Sequence, residues 1–191
     1  MTSILEVEQL DTLSSNASST ITIGGTNTTT IAFGPNVTTT PSSLANTPAF
    51  AAKMSAAQSI SNDTSTKIAY DTEVYDTDSA YDHSSNYRFT VPSEKAGKYF
   101  IGASVRSGNI TDTKKITMNL FVNGSEISEH YAQIASSNGG EQYTIGVFKT
   151  FNLSAGDYIE VFVLHQSGGS VSFSSSSSIG SYFYGYKLIG V

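Results

Sequence analysis

The sequence predicts an all-β sandwich, and three observations carry that prediction. Glycine, tyrosine and phenylalanine number 16, 11 and 10 among abundant serine and threonine, a mix that favours strands and tight turns over helices. Charged residues make up only 14%, against ~25% in ordinary soluble domains. Apolar residues alternate over short runs, and turn signals separate those runs at intervals of about 8 to 15 residues. The one stretch with helical character, Ala56-Ala57-Gln58-Ser59-Ile60, is too short to hold a helix by itself.

The first 11 residues place Ile4, Leu5, Val7 and Leu10 among acids. No charge then occurs from Thr12 to Ala52. Within that tract Thr20-Ile21-Thr22-Ile23-Gly24 is echoed ten residues on by Thr30-Ile31-Ala32-Phe33-Gly34. Each unit is a short alternating strand closed by glycine, and such strands cannot bury their apolar side alone. Three copies wound about one axis would bury Ile21, Ile23, Ile31 and Phe33 together. Residues 1–48 are therefore read as an extended docking strap or stalk, with a disordered linker as the competing reading.

The compact domain spans 49–191 and opens with Pro48-Ala49-Phe50-Ala51-Ala52-Lys53-Met54 as its first strand. Lys67–Tyr70 follows as a strand, and residues 73–82 read as a polar connection. Phe89 and Val91 share one face, Pro92 and Gly97 turn the chain, and Tyr99 and Ile101 resume the alternation. Lys115–Val122 puts Ile116, Met118, Leu120 and Val122 on one side, and Asn123-Gly124 then calls for a type I′ hairpin into residues 127–134. Asn138-Gly139-Gly140 predicts a further turn. In Tyr143–Leu153, Tyr143, Ile145, Val147 and either Phe148 or Phe151 point inward, which predicts a bulge. Tyr158–Leu164 is almost continuously apolar, as expected of a strand covered on both faces by the core and a neighbouring subunit. Ser181–Ile189 is the last strand.

Several of these motifs, in this order, resemble the signature of C1q-like domains over residues 49–191. Phe89, Pro92, Gly97 and Tyr99 match it, Ile101 replaces the last aromatic, Leu153-x-x-Gly156-Asp157-x-Ile159 matches the penultimate turn and strand, and Phe183-x-Gly185-Tyr186-x-Leu188-Ile189 matches the closing strand. The resemblance implies a ten-stranded jelly roll of the C1q/TNF type that associates as a homotrimer. Thr47-Pro48-Ala49-Phe50, Thr66–Glu73, Arg88–Pro92 and the upstream Thr-Ile-Thr-Ile-Gly tract are similar to C1q-like heads of bacteriophage tail fibres and other virion proteins. That likeness implies a virion surface protein whose N-terminal segment meets other virion proteins and whose head meets a host receptor or glycan. A capsid-decoration or head-fibre protein and a secreted C1q/TNF-like ligand are the alternatives.

Composition bounds the rest. A net charge of −6 argues against nucleic acid, whose binders carry a basic face. No run approaches the 18 apolar residues of a membrane span, and the first residues lack a signal-peptide pattern, so synthesis in the cytoplasm is expected. Without cysteine there is neither a disulfide nor thiolate chemistry. His83, His130 and His165 are too scattered for a local zinc pair, and no Gly-x-Ser-x-Gly or phosphate-loop pattern occurs, so no enzyme is expected. No cofactor is expected either. Calcium is the one candidate, at Asp71, Glu73, Asp76 and Asp78 with Asp82 nearby, because closely spaced carboxylates suit a hard cation; ordinary turn and strand-face acids are the plainer reading. The aromatic series Tyr158, Phe162, Tyr182, Phe183, Tyr184 and Tyr186 is expected to form the trimer contact, with a sugar-stacking platform as the alternative. Ser174–Ser178 reads as a surface or recognition loop.

Overall fold

A computed structural model describes residues 46–110, 114–133, 141–174 and 180–189. The expectations for Ile21, Ile23, Ile31 and Phe33, for the Asn138-Gly139-Gly140 turn and for most of the Ser174–Ser178 loop fall outside these residues. The described chain forms thirteen strands and no helix, where the resemblance implied ten. The surplus comes from two- and three-residue ladders that dock on longer strands.

One sheet runs across five strands in the order β4 (Thr72–Asp76), β1 (Ala49–Lys53), β13 (Tyr182–Lys187), β7 (Gly97–Ile110) and β10 (Glu141–Leu153). Beyond β13 the same edge of β7 pairs with β12 (Val171–Ser174), and β12 pairs with β2 (Gln58–Ile60). We call this sheet A. Sheet B follows the order β5 (Tyr81–Asp82), β6 (Arg88–Thr90), β11 (Tyr158–His165), β8 (Lys115–Val122) and β9 (Ser125–Gln133), with β3 (Thr66–Lys67) also beside β11. Every pairing is antiparallel.

The core lies between the sheets and is largely aromatic at one end. Phe50 stacks on Phe89 at 4.7 Å and on Tyr81 at 5.3 Å, and the edge of Phe183 meets it at 4.9 Å. Phe89 and Tyr99 lie 5.6 Å apart. Such pairs add about 0.5–1.5 kcal/mol each beyond the area they bury. Ile101, Val105, Ile116, Met118, Leu120, Ile159, Val161 and Val163 continue the core, all fully buried, as strict alternation along β7, β8 and β11 requires.

Local expectations met the structure unevenly. The Asn123-Gly124 hairpin has φ of 51° and 78° at its two central residues, the pair of positive values a type I′ turn needs. Residues 73–82 are more ordered than a polar connection, since β4 and β5 lie within them. Of the expected Lys67–Tyr70 strand only Lys67 joins a ladder, together with Thr66 before it, although Ile68 and Tyr70 are fully buried beyond it. In β10 the inward residues are Ile145, Val147 and Phe151, and Phe148 faces out. These positions share one parity, so no bulge is needed there. The irregularity instead sits at Gln142/Thr144, where the Tyr143 N–H donates to the buried Ser107 hydroxyl at 3.1 Å.

Candidate functional site

The outward face of sheet A exposes a cluster of aromatic side chains. Because Tyr99, Ile101, Ala103, Phe183 and Val147 point inward, Phe100, Gly102, Tyr184, Tyr186 and Phe148 point out. The strand registers align a row Tyr75–Ala51–Tyr184–Gly102–Phe148 across five strands. The next row is Ala49–Tyr186–Phe100–Thr150. Phe100 lies at the centre, 5.6 Å from Tyr186 and 6.4 Å from both Tyr184 and Phe148. Phe148 is 71% exposed, Tyr75 49% and Tyr184 37%. Gly102 makes the surface level. A Cβ there would sit 2.7 Å from the Tyr184 ring, so only glycine lets that ring lie flat across β7. No carboxylate stands in either row, and a flat aromatic face free of acids is suited to burial against another protein surface.

The six aromatics expected at one contact do not form one surface. Tyr182, Tyr184 and Tyr186 lie on sheet A. Phe183 is wholly inside the sandwich, as its place between two outward tyrosines dictates. Tyr158 and Phe162 belong to sheet B, on the opposite side of the molecule, where Arg88 covers the Tyr158 ring at 4.2 Å and Phe162 meets Phe121 at 4.4 Å. Sequence reasoning missed Phe100, Phe148 and Tyr75 as partners of the β13 tyrosines. The readable signal was parity, since Phe100 stands between two inward residues.

The other motif residues build the frame. Phe89 and Tyr99 are core, Pro92 accepts from the Lys95 N–H in a turn at 3.2 Å, and Gly97 lies against the Lys187 side chain. The Gly156 N–H donates to the Val91 carbonyl at 2.9 Å and the Val91 N–H to the Asp157 carbonyl at 2.8 Å, which ties β6 to the turn before β11. The Asp157 carboxylate accepts from the Asn123 amide at 2.8 Å and the Ser154 N–H at 2.7 Å. Those two bonds hold its carboxyl below the usual range.

The acidic residues considered for calcium do not converge. Asp71 accepts from the Ser55 N–H and hydroxyl, Glu73 pairs with His83 at 3.0 Å, Asp76 caps the N–H groups of Asp78 and Tyr81, and Asp78 meets Lys95 at 3.6 Å. Among the described residues no three His, Asp or Glu gather into a set able to hold a metal. Each of these carboxylates is engaged by its own neighbours, as turn and strand-face acids are.

Asp82 is the strongest of these anchors. It accepts from the N–H groups of Ser84, Ser85 and Asn86 and from the Asn86 amide, and the Ser85 N–H followed by the Asn86 amide holds its carboxyl far below the ordinary range. A carboxyl with a lowered folded pKa adds stability that is complete above its unfolded value of about 4 and is lost as pH falls below it. Asp82→Asn should therefore lower Tm at pH 7, and its deficit against the wild type should narrow steadily as the pH falls below about 4, measured by thermal melts across pH. An equal deficit across that range would contradict the charge-based role.

Solved structures share this fold. The Eiger TNF of S. frugiperda superposes with a TM-score of 0.52 at 15% identity, covering 75% of this chain and 93% of that one. Murine APRIL at pH 5.0 gives 0.54 at 15%, covering 73% and 98%. The globular domain of zebrafish complement 1qA protein gives 0.51 at 11%, covering 74% and 97%. No protein-family model and no curated protein matches the chain. The fold is thus a jelly roll like that of TNF and C1q domains.

Proposed function

We propose that the protein is a non-enzymatic binding module that self-associates through the outward face of sheet A, as a homotrimer whose heads are displayed on a particle surface. The observation that carries this reading is the aromatic face of Phe100, Phe148, Tyr184, Tyr186 and Tyr75, ending in a Phe148 that is 71% exposed. A monomer would leave this area in water, whereas a neighbouring copy would bury it. Phe148 stands on edge strand β10 and Tyr75 on edge strand β4, at opposite ends of one row. That polarity suits a head-to-tail contact that closes into a ring better than a face paired with itself.

Within this reading the motif similarity and the upstream Thr-Ile repeats favour a bacteriophage virion protein, a tail fibre or receptor-binding adhesin, with capsid decoration as its variant. Residues 1–48, through Ile21, Ile23, Ile31 and Phe33, would then dock on the particle. The likeness to TNF and C1q domains is equally compatible with a secreted ligand. All three share the trimer, so its mass is tested first. Light scattering at micromolar concentration is expected to give about three times 20.3 kDa, and a clean monomer would refute the assembly. Labelled protein imaged on intact particles then separates tail from shell, and its absence from particles would leave the ligand reading.

A further inference from the structure

Asn123 closes the hairpin between β8 and β9, and three hydrogen bonds tie it to the start of β11. Its N–H donates to the Tyr158 carbonyl at 3.0 Å, and its side-chain carbonyl accepts from the Tyr158 N–H at 3.0 Å. Its amide nitrogen donates to the Asp157 carboxylate at 2.8 Å. The side chain thus acts as a peptide group and carries the β8–β11 pairing one step past Val122 and Ile159. Asn123 and Gly124 are both exposed to water. Glycine has no side chain to shield its backbone nitrogen and adopts most backbone conformations at little cost. An asparagine followed by glycine is therefore chemically open to deamidation. In that reaction the deprotonated Gly124 nitrogen bonds to the Asn123 side-chain carbonyl carbon. The bond from that carbon to the amide nitrogen breaks, and ammonia leaves after taking up a proton. Water then opens the cyclic imide at either of its carbonyls, giving aspartate or isoaspartate. Attack requires the side chain to swing onto its own following peptide. In the folded hairpin both ends of the amide are held by Tyr158 and Asp157 instead, so the reaction waits until the turn opens.

We propose that Asn123-Gly124 is a self-modification site of the protein and that Asp157 is the latch that keeps it closed. Neither product can restore the latch. An aspartate at this position sets a second carboxylate against Asp157, where an N–H donated before, and the two charges repel. An isoaspartate lengthens the backbone of a two-residue loop whose central φ values are 51° and 78°, and a type I′ turn has no place for the extra atom. The change runs one way. It releases the tip of the β8–β9 hairpin from the turn before β11 in each copy that reacts. Sheet A takes no part in it, so the site is independent of self-association.

The test ages the full chain in mildly alkaline buffer and follows the peptide that holds Asn123 by mass spectrometry, which separates aspartate and isoaspartate from the parent amide. Native wild type is compared with the same chain unfolded in urea and with Asp157→Ala, its fold checked by circular dichroism. The native wild type is expected to react most slowly. Loss of a hydrogen bond to a charged group should let the turn open more often and speed the reaction about tenfold in Asp157→Ala. Asn123→Asp, which imitates one product, should lower Tm at neutral pH. A native wild type that reacts as fast as the unfolded chain would overturn the proposal. So would an unfolded chain that keeps Asn123 intact, a folded Asp157→Ala no faster than the wild type, or an unchanged Tm in Asn123→Asp. Should Asp157→Ala not fold, the comparison of native with unfolded wild type still decides.

Discussion

Phe148→Asp should yield a folded monomer of 20.3 kDa where the wild type is expected to sediment at about three times that mass. The side chain is 71% exposed on an edge strand, so within one copy the change touches little, and surface substitutions of this kind usually fall within about 0.5 kcal/mol. Its effect appears only when the face is covered. A carboxylate carried into an aromatic contact without a cation loses its hydration and gains nothing, a cost of several kcal/mol. In a closed ring that cost recurs at each of the equivalent contacts, so assembly is abolished and not merely weakened. Analytical ultracentrifugation with a melt of the same sample distinguishes the outcomes. A Phe148→Asp protein of unchanged oligomeric mass would show that the outward face of sheet A is not the contact, and the trimer would need another surface.

Much of the fold was legible because alternation is a local property. Phe89 with Val91, Tyr99 with Ile101, and Ile116 with Met118 and Leu120 announced their common face within a few residues, and Asn123-Gly124 fixed its own hairpin. The candidate site was less legible because it is assembled from distant pieces. Ala51 meets Tyr184 and Tyr75, and Tyr184 meets Phe148 only across Gly102. No pattern within β1 or β13 states which strands will flank it. For the same reason Tyr158 and Phe162 resembled the β13 tyrosines in composition while lying on the other sheet. Of the shortest ladders, β5 was invisible and β3 legible only through Lys67, because two residues carry no periodicity and are recruited by β6 and β11. Phe148 and Phe151 were left undecided, although counting from Val147 separates them, since Phe151 stands an even number of positions on and Phe148 does not.

Two neighbouring substitutions in β13 should fail in opposite ways. Phe183 is fully buried, packed edge-on to Phe50 at 4.9 Å and to Tyr81 at 5.7 Å, with Tyr70 also 5.7 Å away. Beside it Gly185 turns inward beneath Phe50 and Ile101 with no room for a Cβ, so the surrounding chain is already in tight contact and cannot collapse into a gap. Phe183→Ala should cost about 3–5 kcal/mol, a large share of the ~5–15 kcal/mol that holds a domain together. Tyr184→Ala removes the next side chain, which points out over Gly102, and should leave the folded copy intact while loosening the assembly. Protein concentration separates the two effects. Stability gained from association rises with concentration, so dilution should erase the difference between Tyr184→Ala and the wild type. The Phe183→Ala deficit belongs to the single copy and should persist at every concentration. Denaturant titrations at two concentrations at least a hundredfold apart read both directly. If Phe183→Ala proved mild and Tyr184→Ala unfolded the dilute protein, the β13 register would be shifted by one residue, exchanging core and interface along the whole strand.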